Sequence, residues 1–493
     1  MAITFINQIP TNKFLPSRNP INVTVDSNNN GKCNFRYVCD VYIDNANVFR
    51  FKLFPDPSTG YGFFQLSDVI SDYLSEYLPV TNSTSIVVGT TNTFKSVVSC
   101  YLRFGEEYDN STNCDGDIVV YPNLATSNTF YPFLGTLDYE EWPSYNQSYY
   151  VVDYSTPYVE GTGPYFLTKR PRGSVKCSFG DSYYLDWISV AAPNNGQTRI
   201  RIETNTGVTY SVNAPSLSSV KRFRAAVGPF DINNSANTPI INGSQKWYDV
   251  WLEDSGNQLT EKFRIELEYP KSFRTRFGFV GSLGSIEYIT FFHRNRTGYN
   301  IDRKDYKKYL TSNKGSGNWS YAVGDRQSTT YATNAKEAHN VTTFVDESTS
   351  QWLWEMWTSI NVWKEDRPLQ SSFRVFREDS TPTSRMLFWL PVGHGFKAGD
   401  SFFSIPENKT EYQDYVDRFT ITSVNGNIVD CGLTYNIYNI TESACGWIFR
   451  DETFRRIPIV ISDQSVDVKQ RLSRPIEYSL NYTNSVDKFT LRG

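Results

Sequence analysis

Asn34-Phe35-Arg36-Tyr37-Val38-Cys39-Asp40-Val41-Tyr42-Ile43-Asp44 is the stretch on which the reading of this chain turns. Phe35, Tyr37, Cys39, Val41 and Ile43 recur at every second position, so an extended backbone sets all five on one face. Arg36, Val38, Asp40 and Tyr42 take the other. That is the pattern of a half-buried antiparallel strand. It returns at 48–54, with Phe49, Phe51 and Leu53 aligned, at 94–104, with Val98, Cys100, Leu102 and Phe104, and in closing strands at 457–461 and 476–482. Two helices interrupt it. Leu66, Val69, Ile70, Tyr73, Leu74, Tyr77 and Leu78 have helical spacing behind a Ser67 cap. Leu353, Met356, Trp357 and Ile360 form a stripe over 348–359, where Ser348 with Gln351 resembles a capping box.

The expected fold is mainly β: several Ig-like antiparallel β-sandwich domains with a few short helices and a small inserted β-barrel module. Residues 1–125 read as an extended N-terminal arm, ending in Pro16-Ser17-Arg18-Asn19-Pro20, plus a first Ig-like sandwich. An aromatic-rich connection spans 126–165 and a second β-sandwich 166–300. Residues 301–385 with 437–493 make a third β domain, and 386–436 a small inserted β module. Hairpins are expected around Thr204-Asn205-Thr206-Gly207, Asp254-Ser255-Gly256-Asn257 and Val424-Asn425-Gly426-Asn427, and across 276–291 at a tight glycine turn.

A chain of 493 residues exceeds one hydrophobic core. Its 48 basic and 52 acidic residues leave a net charge of −4, no footprint for general polyanion binding. No apolar run approaches the ~20 residues of a membrane span, so no membrane anchor is expected. Met1–Gln8 lacks a basic segment followed by an apolar one, which argues against classical secretion. The seven cysteines, at 33, 39, 100, 114, 177, 431 and 445, form no CxxC pair and are expected to be reduced, structural thiols.

Little in the sequence points to chemistry. His293, His339 and His394 are the only histidines and none lies in HExxH or another close pair. The nucleophile elbow and the phosphate-binding loop are absent. Gly278, Gly281 and Gly284 fit close packing at a turn better than a phosphate cradle. The run Arg294 to Lys308 concentrates positive charge that suits a solvated face or a phosphate contact. Glu106-Glu107-Tyr108-Asp109 and Asp138-Tyr139-Glu140-Glu141-Trp142 mix acids with aromatics, as a sugar cleft would, or as solvated acidic loops would. The expectation is no catalytic, metal-binding or cofactor-binding residues.

The unusual total is aromatic: 33 Phe, 33 Tyr and 11 Trp. Such residues suit pleated surfaces and interfaces. Phe130, Tyr131, Phe133, Trp142, Tyr145, Tyr149 and Tyr150 crowd into the 126–165 connection, with Tyr154 behind them, and are the candidate interface residues. Either this connection packs its rings onto its own neighbours, or it is an arm that docks on another subunit.

Three segments resemble tail structural proteins of tailed bacteriophages that infect Bacteroidetes, including crAss-like phages. The first is Ser17-Arg18-Asn19-Pro20-Ile21 with Phe35-Arg36-Tyr37, Asp40-Val41-Tyr42-Ile43 and Phe54-Pro55-Asp56-Pro57; the second is the stretch from Phe277 to Phe291. The third is Gly393-His394-Gly395-Phe396-Lys397-Ala398-Gly399-Asp400, similar to the lead-in of a small β-barrel insert. The resemblance implies a non-enzymatic ring or hub subunit built from Ig-like sandwiches, made in the host bacterial cytoplasm and located in the virion tail. Its partners would be further copies of itself and other phage tail proteins, with DNA free to pass a lumen without specific binding. The alternative, from the aromatic and acidic content, is a host-glycan-binding fibre, spike or receptor-binding protein, in its sharper form a depolymerase.

Overall fold

In the computed structural model Cys33–Ile43 is one continuous strand, an inner member of a four-stranded antiparallel sheet ordered 46–53, 33–43, 100–109, 118–126. Phe35, Tyr37, Cys39, Val41 and Ile43 are all buried, as their period requires. The opposite face is not given over to water: Val38 and Asp40 are buried there too, and Arg50 from the neighbouring strand clasps Asp40 at 2.5 and 2.8 Å. Across the core lies a three-stranded sheet ordered 3–7, 22–27, 62–65, which supplies Val23, Val25 and Phe64.

The structure describes residues 3–76, 87–88, 95–111, 113–154, 156–178, 181–189, 198–214, 221–236, 240–241, 244–268, 275–307, 312–313, 319–320, 328–359, 361–366, 370–377, 385–390, 396–406, 418–434, 444–450, 455–462, 476–485 and 489–492. They are mainly β, in antiparallel sheets, with three short parallel pairings at 131–133 on 14–16, 151–152 on 188–189, and 175–177 on 265–267. The chain divides into two compact units. The first holds 1–268, 280–287 and 371–453; the second holds 269–279, 288–370 and 454–493.

Within the first unit, two further sheets follow the N-terminal pair. One is ordered 151–152, 184–189, 221–226, 87–88; the other runs 175–177, 263–267, 247–254, 198–204, 209–213. Val87–Val88 and Val151–Val152 come from outside the 166–300 region, so its sheet is completed by distant chain. Helix α1 (Ser67–Asp72) begins at its expected cap residue, one position early: Leu66 holds the cap position without a side-chain bond, and Ser67 is buried. Tyr77 and Leu78 lie outside the described residues. Helix α2 (Pro229–Ala236) has no apolar stripe long enough to be read in advance. The inserted module is wider than 386–436: a seven-stranded sheet takes all its strands from Gln370 to Arg450, and the turn at Gly426 joins its last pair, 423–425 and 428–434.

The second unit holds the short pair 312–313 with 319–320 and is otherwise built mainly on one large sheet ordered 286–291, 275–280, 362–366, 455–461, 476–484, 328–345, 294–307. Helix α3 (Glu347–Thr358) covers it with Trp352, Leu353 and Met356. Its cap is Asp346, whose carboxylate accepts from Thr349 N at 2.7 Å and from Ser348 Oγ at 2.9 Å. The expected Ser348 box is therefore displaced by two residues: Asp caps about as well as Ser, and its negative charge also faces the helix N-terminus. Ile360 lies outside the described residues.

The cysteine expectation fails at one place. Cys33 and Cys114 form a disulfide with Cα atoms 5.2 Å apart. Cys33 opposes Asp109 at the end of the first sheet, and the loop after Asp109 folds back onto it. Register brings the thiols together over 81 residues of sequence, a distance that leaves no local signal. Cys39, Cys100, Cys177 and Cys431 are buried thiols outside any disulfide; burial pushes the Cys39 thiol well up and Cys431 to about 12.

Candidate assembly interface

The N-terminal arm and the aromatic connection are built into each other. Strand 131–133 pairs in parallel with 14–16, and Tyr131 stacks on Phe14 at 5.2 Å. Phe130 exchanges both backbone bonds with Cys100, at 2.8 and 2.9 Å. Phe130 and Phe133 are wholly buried, so neither offers surface to a partner. Two short 3₁₀ turns, Trp142–Ser144 and Gln147–Tyr149, then lay three rings in a row: Trp142 on Tyr145 at 5.6 Å and Tyr145 on Tyr150 at 6.1 Å. Lys13 Nζ sits 5.3 Å over Tyr145, whose hydroxyl donates to Phe14 O at 2.7 Å. Burial pushes the Tyr145 hydroxyl far up, and burial with Glu141 and Tyr149 beside it pushes Tyr150 up to about 12. Tyr149 tilts against Tyr165 at 6.2 Å, and burial also raises Tyr154. Of the two readings of 126–165, the packing onto its own neighbours is the one these contacts describe. Trp142, Tyr145, Tyr149 and Tyr150 remain half-exposed, but the first two and Tyr150 direct ring faces at one another and Tyr149 turns to Tyr165.

The candidate acids are likewise engaged. Glu106 accepts from Ser27 Oγ at 2.5 Å and Asn29 Nδ2 at 2.7 Å, and Glu107 binds Arg36 at 3.3 Å and Lys52 at 2.7 Å. Asp109 organises the next loop through Ser111 and Gly116, and these bonds hold its carboxyl below the usual range. Asp138 accepts from the amides of Glu140 and Glu141, while Glu141 pairs with Lys169. None of these carboxylates stands free in a cleft. His339 lies flat on Tyr482 at 4.7 Å, His293 packs on Phe344, and His394 lies outside the described residues. Among the described residues no three His, Cys, Asp or Glu side chains gather as metal ligands would.

Among the sheet edges of the described residues, two stand out for what they expose. Strand 294–307 ends the large sheet of the second unit and, among the described residues, pairs on its inner side alone, with 328–345, as a ribbon of 14 residues. At ~3.3 Å per residue that outer edge is about 46 Å long. Tyr299 and Ile301 stand 56% and 54% exposed on it. The basic run marked in the sequence is this strand: Arg296, Arg303, Lys304 and Lys307 project from it as a solvated face. The second edge is 118–126, where Ile118, Val119 and Val120 are 46%, 40% and 42% exposed in succession, just after exposed Asp115 and Asp117. Sequence reading missed this edge; its signal was three consecutive apolar residues directly behind Asp115-Gly116-Asp117.

No protein-family model matches this chain, and no curated protein matches it.

Proposed function

We propose that this chain is a non-enzymatic structural subunit of a bacteriophage tail, forming or bridging an oligomeric ring or hub and contacting other tail proteins. The observation that carries the reading is the long ribbon edge at 294–307, a backbone template of a kind that sheet proteins use to bind other chains. The resemblance adds the setting: a virion tail, a subunit of Ig-like modules made in the host cytoplasm, and a lumen through which DNA passes without being bound. Residues of the resembling segments serve the fold, as expected of an architectural protein. Asn19 exchanges two hydrogen bonds with Leu137, at 2.7 and 2.8 Å, and the segment from Phe277 to Phe291 is a buried hairpin closed by Gly281 N to Ser285 O. Among the described residues no helix is long and apolar enough to cross a membrane. The glycan-binding alternative has less to stand on, because the rings nearest the acids are stacked on each other.

The test is location. Peptides of this chain are expected in purified virions at a fixed stoichiometry, and an epitope tag on it should decorate the tail in electron micrographs. Particles that lack the protein, together with reducing ends released from host polysaccharide by the purified chain, would overturn the reading.

A further inference from the structure

The two open edges are complementary in a way neither is to itself. Strand 294–307 carries five basic and two acidic residues, so ribbon against ribbon repels. The other edge opens with Asp115 and Asp117 and is cut short by Pro122, which has no N–H to give a ladder.

Register fixes the backbone phase of both strands. In the second unit Ser462 N donates to Asn481 O, so Asn481 faces strand 455–461 and its neighbour Leu480 faces strand 328–345. Leu480 opposes Val341, which leaves Thr342, opposite Arg294, turned towards the ribbon strand. Even-numbered residues as far as Lys304, where the register shifts, therefore bond inwards, and the N–H and C=O groups of Ile301 and Arg303 point out. In the first unit Ser127 N donates to Leu102 O, so even residues of 100–106 face the edge strand. Glu106 opposes Tyr121, which turns the backbone groups of Ile118 and Val120 outwards.

We propose that the acidic edge of one copy takes up the ribbon strand of a second copy as an added antiparallel strand. Outward groups must meet outward groups, so Ile118 and Val120 oppose odd-numbered ribbon residues. The alignment that sets Val120 against Ile301 also sets Asp117 against Lys304 and Tyr121 against Asn300. Exposed apolar side chains are then covered together, and the aspartate at the mouth of the edge meets the basic stretch of the ribbon. The contact joins two unlike patches, so a joined pair still has one free edge of each kind and the association runs head to tail, closing as a ring or extending as a filament. The tail reading supplies its biological setting, but the chemistry is independent of it.

Sedimentation velocity on the purified full chain tests this. Wild type is expected to self-associate with rising concentration. Asp117→Lys and Lys304→Glu, both at exposed positions, are each expected to weaken association about tenfold, and the double variant to restore it. Unchanged urea midpoints would show that all variants fold. A wild-type chain that stays monomeric at every concentration, single variants that associate normally, or a double variant that fails to recover would each overturn the proposal. Virion composition is measured separately, so loss of this contact and loss of the tail assignment are distinguishable.

Discussion

Asp186 shows how much of this fold rests on single side chains. It is buried between two buried guanidiniums, bonded to Arg222 at 2.6 and 3.1 Å and to Arg224 at 2.6 and 2.7 Å, with Glu76 2.6 Å from Arg224 on the other side. Burial works to raise the Asp186 pKa, yet Arg224 and Arg222 outweigh it and hold the carboxyl below its ordinary range; for Glu76 burial wins and the pKa is raised. Asp186→Asn leaves two cations short of a counter-charge and is expected to cost about 3–5 kcal/mol in urea unfolding at neutral pH. The sign with pH follows from a depressed folded pKa. The stabilisation is present above the ordinary aspartate value of about 4 and is lost as pH falls through the folded one, so wild type should lose stability on acidification faster than Asp186→Asn. Gly278 is a second such position: a Cβ there would overlap the Trp363 indole. Gly278→Ala is expected to destabilise by about 1–3 kcal/mol, read from the same urea midpoint.

At the scale of elements, the arm has changed its meaning. Taken as a free extension, residues 1–15 should be removable without harm to the folded monomer. Instead Ile3, Ile9, Phe14 and Leu15 are buried, and 3–7 is a paired strand. Phe14→Ala is expected to cost about 3–5 kcal/mol, and truncation of 1–15 to lower the unfolding midpoint further; an unchanged midpoint would restore the detached arm. For α3, Asp346→Ala is expected to cost about 1 kcal/mol, whereas Ser348→Ala should cost less. Strands with a clean period of two, such as 33–43 and 476–484, were legible because alternation is a local property of the chain. The aromatic segment was not. Tyr145 and Phe14 are 131 residues apart, so nothing nearby says that each satisfies the other. The open edges escaped for a similar reason: a strand is an edge only by what fails to pair with it.

For the whole molecule, the connectivity matters more than the boundaries. Asp366 and Arg455 oppose each other in neighbouring antiparallel strands, so everything between them leaves and returns at one rung of the ladder. Replacement of 367–454 by Asn-Gly is expected to keep amide protection in 455–461, measured by hydrogen exchange; loss of that protection would mean the module supports the sheet it interrupts. The Cys33–Cys114 bond has a mechanical corollary. Under tension applied at the two ends, the segment it encloses, with a separation of 81 residues, bears none of the load. About 280 Å of contour at ~3.5 Å per residue stays hidden from a pulling experiment, to appear as extra extension only after a reductant is added.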